Sequence, residues 1–345
     1  NTWSIAVDPT AFGVQYVGSS WGGVWRTGDS GMTWRQAWNL PLQGILRLAM
    51  PPGQNSTIYA AGRDGTLYQS LNSAETWVNV GRPAGLSGFD GGGNGIFMVS
   101  PLVGLVYMCT GSGAFAWSLL SGWVDIGPPD SSVQCTDVAM GPNNTLFFGF
   151  RESGVWRLSN ANWLKVKNAV GPHTWNAGTK DEVTINNPIY RIAVGPTRIA
   201  VLSECRLYLN ALSNMTAANV DSTWTQRTSL CSANLPGGGS VYTYDGYAST
   251  IAIDPNDQNR LIATGVHAFL STDNGVTWKR IIDPSTGTVN SVDFHQLYFY
   301  PGNPTRVVAV SDQGPRYSYD RGATWLEAPQ LDRLVDGPPV LEFYN

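Results

Sequence analysis

Thr27-Gly-Asp-Ser-Gly-Met-Thr-Trp34, Ser271-Thr-Asp-Asn-Gly-Val-Thr-Trp278 and Ser318-Tyr-Asp-Arg-Gly-Ala-Thr-Trp325 share one octapeptide, Ser/Thr-x-Asp-x-Gly-x-Thr-Trp. Ser70-Leu-Asn-Ser-Ala-Glu-Thr-Trp77 is a softened copy. Ahead of each Trp stands an apolar run ending in Pro, as in Ile5-Ala-Val-Asp-Pro9 and Ile251-Ala-Ile-Asp-Pro255. The same run recurs without a clear octapeptide in Val138-Ala-Met-Gly-Pro142 and Ile192-Ala-Val-Gly-Pro196, and in weaker form before Pro52, Pro101 and Pro301. Pairing Pro with the next matching Trp gives 9/34, 52/77, 101/123, 142/163, 196/224, 255/278 and 301/325, separations of 21 to 28 residues. Seven near-equal units follow.

Within a unit, four short period-2 runs are broken by Gly, Asn and Asp turns; in the first they are 4–7, 15–18, 23–27 and 33–37. Alternation of this kind marks strands. Four strands in about 40–50 residues, repeated around a ring, describe the blade of a β-propeller. The expectation is an all-β chain, residues 1–345 as a single propeller domain of seven four-stranded antiparallel blades. Six blades is the competing count, since the unit around Trp123 has no octapeptide. The tail 340–344 reads as one further strand that closes the ring, and no long helix is expected.

Composition agrees and excludes other classes. The 345 residues carry only 13% charged side chains, with 39 Gly, 21 Pro and 14 Trp, against about 25% charge in an ordinary soluble chain. A net charge of −4 without a Lys/Arg run gives no nucleic-acid footprint. No apolar stretch is long enough to span a membrane as a helix. Asn55, Asn143 and Asn214 open Asn-x-Ser/Thr acceptors, the four cysteines are even in number, and the sequence starts in a strand-like run without Met. Together these point to a secreted, glycosylated mature form.

The octapeptide resembles the Asp box, or BNR repeat, of sialidase-like β-propellers. The resemblance implies that Asp29, Asp273 and Asp320 are structural, each in a tight turn between the third and fourth strands, with Gly supplying positive φ and Trp packing between blades. It also places the boxes opposite the usual ligand face. The mouth of the channel on that ligand face is then built from two sets of loops. Turns between second and third strands supply Trp21, Arg63, Asp64, Phe115, Arg151, Glu152, Glu204, Arg206, His267, Asp312 and Gln313. Connections between blades include four long segments, 82–95, 167–188, 228–249 and 283–295. They hold Phe89, Asp90, His173, Trp175, Asp181, Glu182, Tyr242, Tyr244, Asp245, Tyr247, Asp293 and His295, and loops of this length commonly carry function. Arg63/Asp64 and Arg151/Glu152 read equally well as surface or interblade ion pairs.

Relatives of this kind include sialidases, xyloglucan-active glycosidases, photosystem assembly factors and sorting receptors. Sialidases need an Arg-Ile-Pro motif that is absent here, and Arg26 and Arg35 sit beside the octapeptide. The chain also resembles fungal tropolone–sesquiterpene hetero-Diels–Alderases. That resemblance implies an apolar small-molecule substrate held by Trp21, Phe115, Trp175, Tyr242 and Tyr244, with His267, His295, Arg151 and Arg63 polarising an enone-like oxygen. Two alternatives stay open: a glycan-active hydrolase or lyase using a carboxylate pair, and a glycan- or protein-binding propeller without catalysis. No cofactor is called for, and the histidine separations match no metal signature.

The repeat arithmetic also orders the cysteines. Cys109 and Cys205 fall at the ends of second strands, and Cys135 and Cys231 lie 26 residues on, toward the next blade. Of three possible pairings, Cys109–Cys135 and Cys205–Cys231 join neighbours at equivalent positions. The other two would have to span several blades.

Overall fold

The structure is a computed structural model. It describes residues 2–327 apart from 12, 38, 42–43, 87–94, 130–133, 171–172, 177–181, 186–188, 217–219, 232–234, 236–248, 282–292 and 301–302; of 173–176, 182–185, 220, 304 and 327 it gives the backbone alone. Phe89, Asp90, Asp181, Tyr242, Tyr244, Asp245, Tyr247, the tail 340–344 and the side chains of His173, Trp175 and Glu182 therefore lie outside the described residues.

The chain forms a seven-bladed β-propeller. Each blade is a four-stranded antiparallel sheet laid down in strict chain order, innermost strand first. Blade 1 is Thr2–Val7, Gln15–Ser19, Gly23–Thr27 and Arg35–Gln36. The innermost strands of the later blades are Ile45–Ala49, Phe97–Leu102, Cys135–Met140, Tyr190–Val194, Thr250–Asp254 and Phe294–Tyr300. Blade 3 is complete despite lacking the octapeptide, which settles the count at seven. Among the described residues the only helical pieces are four 3-10 turns, none longer than four residues.

Blade 7 already has its four strands, ending at Leu326–Glu327, and the ring closes directly against blade 1. Thr2 Oγ1 donates to Ser311 O at 2.7 Å, and Ile5 N donates to Gln296 Oε1 at 2.9 Å. Gln15 bridges Tyr300 OH at 2.6 Å and Tyr317 OH at 2.8 Å. The core is accordingly a set of interblade clusters rather than one central mass. Blades 7 and 1, for example, share Val17, Trp25, Trp34, Val308, Tyr317 and their neighbours.

The octapeptides explain how adjacent blades dock. In each, the aspartate gathers its own turn: Thr33, Thr277 and Thr324 N–H donate to Oδ1 at 2.8, 2.9 and 2.8 Å. Their hydroxyls donate to Oδ2 at 2.5, 2.6 and 2.6 Å. The Thr33 bonds hold the Asp29 carboxyl down at about 2. Gly31, Gly275 and Gly322 take φ of 88°, 75° and 84°. A side chain on these glycines would strike Tyr317, Leu207 and Ile262, all on the preceding blade. Trp34, Trp278 and Trp325 join the same preceding-blade clusters. Asn72 copies the pattern with Thr76 N donating to its Oδ1 at 2.9 Å, but there Ala74 must hold φ at 69°.

Candidate functional site at the channel mouth

The two expected loop sets do meet on the face opposite the octapeptides. Arg63 N donates to Gly44 O, Arg151 N to Gln134 O, and Asp293 N to Val266 O, each tying a turn between second and third strands to the connection entering a first strand. Both disulfides join the expected pairs, Cys109–Cys135 and Cys205–Cys231, and lie on this face. Cys205 sits just past its strand, in the turn before Arg206. Asn55, Asn143 and Asn214 are exposed in turns at the octapeptide end of their strands, so none borders the mouth.

His295 is better placed than its assignment to a loop implies. It belongs to the first strand of blade 7, Phe294–Tyr300, and is only 5% exposed. Its Nε2 lies 2.7 Å from Asp312 Oδ1, and its ring stacks on Trp3 with centroids 4.2 Å apart. The imidazole is thus held from one side by a carboxylate and from another by an indole, and it lines the channel. Beside Asp312 stands Asp293, whose φ is 59° and whose buried Oδ1 has no hydrogen-bond partner. Burial raises the Asp293 carboxyl above its ordinary value, and the Asp312 charge adds to that rise.

The other expected donors spread around the rim. His267 lies in the blade 6 turn and accepts from Arg280 at Nδ1, 3.2 Å away. An arginine only donates, so the proton of neutral His267 is on Nε2. Burial and the Arg280 charge lower its pKa to about 4. Arg63 covers the exposed Trp21 ring at 4.8 Å, an amphipathic pair on blades 1 and 2. Arg151 is half-buried on blade 4 with its Nε lacking a partner. Asp64 is spent on its own turn, accepting from Thr66 N and Oγ1. Phe115 corrects an expectation: the turn there is Gly111–Ser112, and Phe115 is buried within the third strand Gly113–Ser118, opposite Met108. The segment 167–188 is not wholly loop either, since His173–Asn176 and Glu182–Ile185 pair as a hairpin.

Sequence reasoning missed the groups deepest in the mouth. A cavity of about 160 Å³ in the channel is lined by Arg47, Phe97, Asp137, Arg191, His295 and Gln296, among others. The Arg47 and Arg191 guanidinia stand 4.4 and 4.3 Å from the Phe97 ring centroid. Asp137 accepts from Val138 N at 2.8 Å and from Ile192 N on the next blade at 2.7 Å. Burial pushes its carboxyl up to about 6, against the pull of Arg191 and Arg47. Arg191 reaches Ser249 O with Nε at 3.2 Å, so these side chains also cap edge groups of the innermost strands. A usable signal existed. Five residues before the strand-ending prolines stand Ser4, Arg47, Ile96, Asp137, Arg191, Thr250 and Gln296, six of them polar in otherwise apolar runs.

A larger open groove of about 560 Å³ lies between blades 3 and 4, near Leu102, Tyr107, Asn143 and Trp163. Among the described residues its lining holds no acid or base besides a tyrosine raised by burial, which favours the channel mouth as the candidate site. Among the described residues no group of three or more metal-ligating side chains occurs, and no helix is long and apolar enough to cross a membrane.

No protein-family model matches the chain, and no curated protein matches its sequence. Solved structures do share its fold. The GH74 xyloglucanase from Xanthomonas campestris superposes with a TM-score of 0.66 at 16% identity, over 95% of this chain and 53% of that one. YCF48 bound to D1 peptide gives 0.60 at 14% identity, over 92% of both chains. The extracellular domain of BT4673 from B. thetaiotaomicron gives 0.61 at 12%, over 92% of this chain and 38% of that one. This chain therefore spans about half the length of the xyloglucanase, and the likeness is one of fold.

Proposed function

We propose that the chain is an enzyme acting on a small, largely apolar molecule at the channel mouth, and that its reaction is an intermolecular hetero-Diels–Alder cycloaddition of a tropolone quinone methide with a terpene olefin. The observation that carries this reading is His295: a buried imidazole on the channel wall, fixed by Asp312 and Trp3. Such a cycloaddition forms two bonds and expels nothing. Its needs are a near-attack arrangement and fixed donors at the oxygen that gains charge. The Nε2 proton of His295 is spent on Asp312, so the locked ring serves the first need as a fixed wall, while the Nε2–H of His267 and the Arg63 guanidinium over the Trp21 ring serve the second. The resemblance to fungal hetero-Diels–Alderases, which rests on compactness, Asp boxes and acceptor asparagines together, supports a fungal enzyme of this class. Two disulfides and three exposed acceptor asparagines support passage through the secretory pathway.

Glycoside hydrolysis is the second reading, favoured by Asp293 beside Asp312. One carboxyl is raised by burial and the other is held by a histidine, the asymmetry an acid and a base require. The deciding experiment incubates the protein separately with a quinone-methide precursor plus a terpene olefin, and with xyloglucan oligosaccharides. Cycloadduct above the uncatalysed background, falling about 100-fold in His295→Ala through lost positioning, is the expected result. Cleaved oligosaccharide without adduct transfers the assignment to hydrolysis, and binding without turnover makes the chain a recognition module.

A further inference from the structure

The channel is polar at the mouth and apolar toward the octapeptide face. Beyond the 160 Å³ cavity lies a second one of about 350 Å³, lined by Ile5, Leu48, Met50, Met98, Met140 and Tyr298, among others. Met98, Val99 and Gln296 line both, so the two cavities adjoin. Register explains the change of character. Three residues before the strand-ending proline, where the mouth's polar level has been left behind, alanine stands in blades 1, 2, 4, 5 and 6. Ala6, Ala49, Ala193 and Ala252 keep 7–8% of their surface, whereas Ala60, Ala61, Ala200 and Ala263, within second strands, keep none. The small side chains leave open space where the polar level fills it.

At the mouth end the charges do not balance. Arg47 shares its one neighbouring carboxylate, Asp137, with Arg191, which Glu204 also attracts, and Asp137 is already anchored by two backbone N–H groups. The one hydrogen bond of the Arg47 guanidinium among the described residues runs from Nε to Ile96 O at 3.0 Å. Among the described residues its two remaining nitrogens have no acceptor, on a residue only 8% exposed that lines the cavity. A buried cation left this way calls for an anion.

We infer that the channel binds an anionic amphiphile, with a carboxylate or like headgroup at Arg47 and a hydrocarbon tail running past Met98 into the methionine-lined cavity. Methionine suits such a lining because its flexible thioether fits chains of varied shape. Two residues of strand, about 7 Å, separate the two levels, a distance that an extended chain of about ten carbons passes before it fills the cavity beyond. The inference does not rest on the cycloaddition reading, because it concerns occupancy of the channel and not the reaction at its mouth.

Calorimetric titration of the intact protein with decanoate, butyrate and 1-decanol tests it without turnover. Decanoate is expected to bind at least tenfold more tightly than either of the others, and Arg47→Met to weaken decanoate at least tenfold while leaving decanol unchanged. Equal affinity for decanol removes the headgroup site, and equal affinity for butyrate removes the tail site. Absence of decanoate binding overturns the whole inference. The wild-type comparison stands even if Arg47→Met does not fold, and Ala49→Leu, which narrows the apolar cavity, is expected to weaken decanoate but not butyrate.

Discussion

On the octapeptide face, Asp29, Asp273 and Asp320 make the same two contacts to the following threonine with lengths that agree within 0.1 Å. At the mouth end of the channel, the equivalent position of seven blades holds Ser4, Arg47, Ile96, Asp137, Arg191, Thr250 and Gln296. The first region repeats because every blade has the same mechanical problem: to turn tightly and present a Trp to its neighbour. The second varies because nothing in the packing of a ring requires one residue there. Repetition marks what the fold needs, and departure from it marks what a ligand would meet.

The two faces also differ in what holds them. An octapeptide turn satisfies its own backbone through Asp and Ser/Thr, whereas the mouth connections are long and carry the covalent links. The largest expected effect follows from that contrast. Replacing Cys205 and Cys231 together by Ser should lower unfolding free energy by about 3 kcal/mol, as a loop of this length implies in the chain-entropy model. Urea denaturation measures it, and the Cys109/Cys135 pair should behave alike. A cost below about 1 kcal/mol in both would mean that the mouth connections are already ordered by packing, as the burial of Leu230 and Leu235 around Cys231 allows.

A smaller effect tests the repeat itself. Ala74 holds the position that glycine occupies in the three full octapeptides, at φ 69° and almost wholly buried. Left-handed backbone costs a non-glycine residue about 1–2 kcal/mol, and its methyl returns about 0.8 kcal/mol by burial. Ala74→Gly should therefore stabilise by roughly 0.5–1 kcal/mol, read as a higher urea midpoint with unchanged slope. Destabilisation would show that the softened copy has repacked around its alanine and is no longer the same device.

This contrast accounts for what could be read from the sequence. Blade number and both disulfides follow from periodicity, because spacing survives in one dimension, and the turn function of the aspartates follows from the resemblance their octapeptide carries. The mouth does not. Phe115 was expected in a turn because the strand Leu105–Thr110 runs one residue past Cys109 and turns through only Gly111 and Ser112. Arg47, Asp137 and Arg191 are each a lone charge inside an apolar strand, and only superposing the seven units shows that they share a level. His295 is legible as a histidine, but its partners Trp3 and Asp312 are 292 and 17 residues away in sequence. Ring closure brings Trp3 to it.

The smallest expected effect separates the two histidines of the mouth by pH. His267 is lowered to about 4 by burial and by Arg280, against about 6.5 for an unfolded histidine. Above pH 6.5 both states are neutral and its contribution to stability is fully present. As pH falls from 6.5 to 4, the unfolded chain takes up a proton that the folded one refuses, so stability is lost. Asp137, raised to about 6, runs the other way: its contribution is complete at low pH and declines as pH rises through 6. The two trends oppose each other in the wild type, so a single pH curve would mislead. Comparing wild type with His267→Gln cancels the Asp137 contribution, and the glutamine oxygen can still accept from Arg280. The fall in Tm between pH 7 and pH 4.5 should be smaller in the variant by on the order of 1–2 °C. Parallel curves would mean that His267 is as free to protonate in the folded chain as in the unfolded one, and the neutral Nε2 donor assigned to it would be lost.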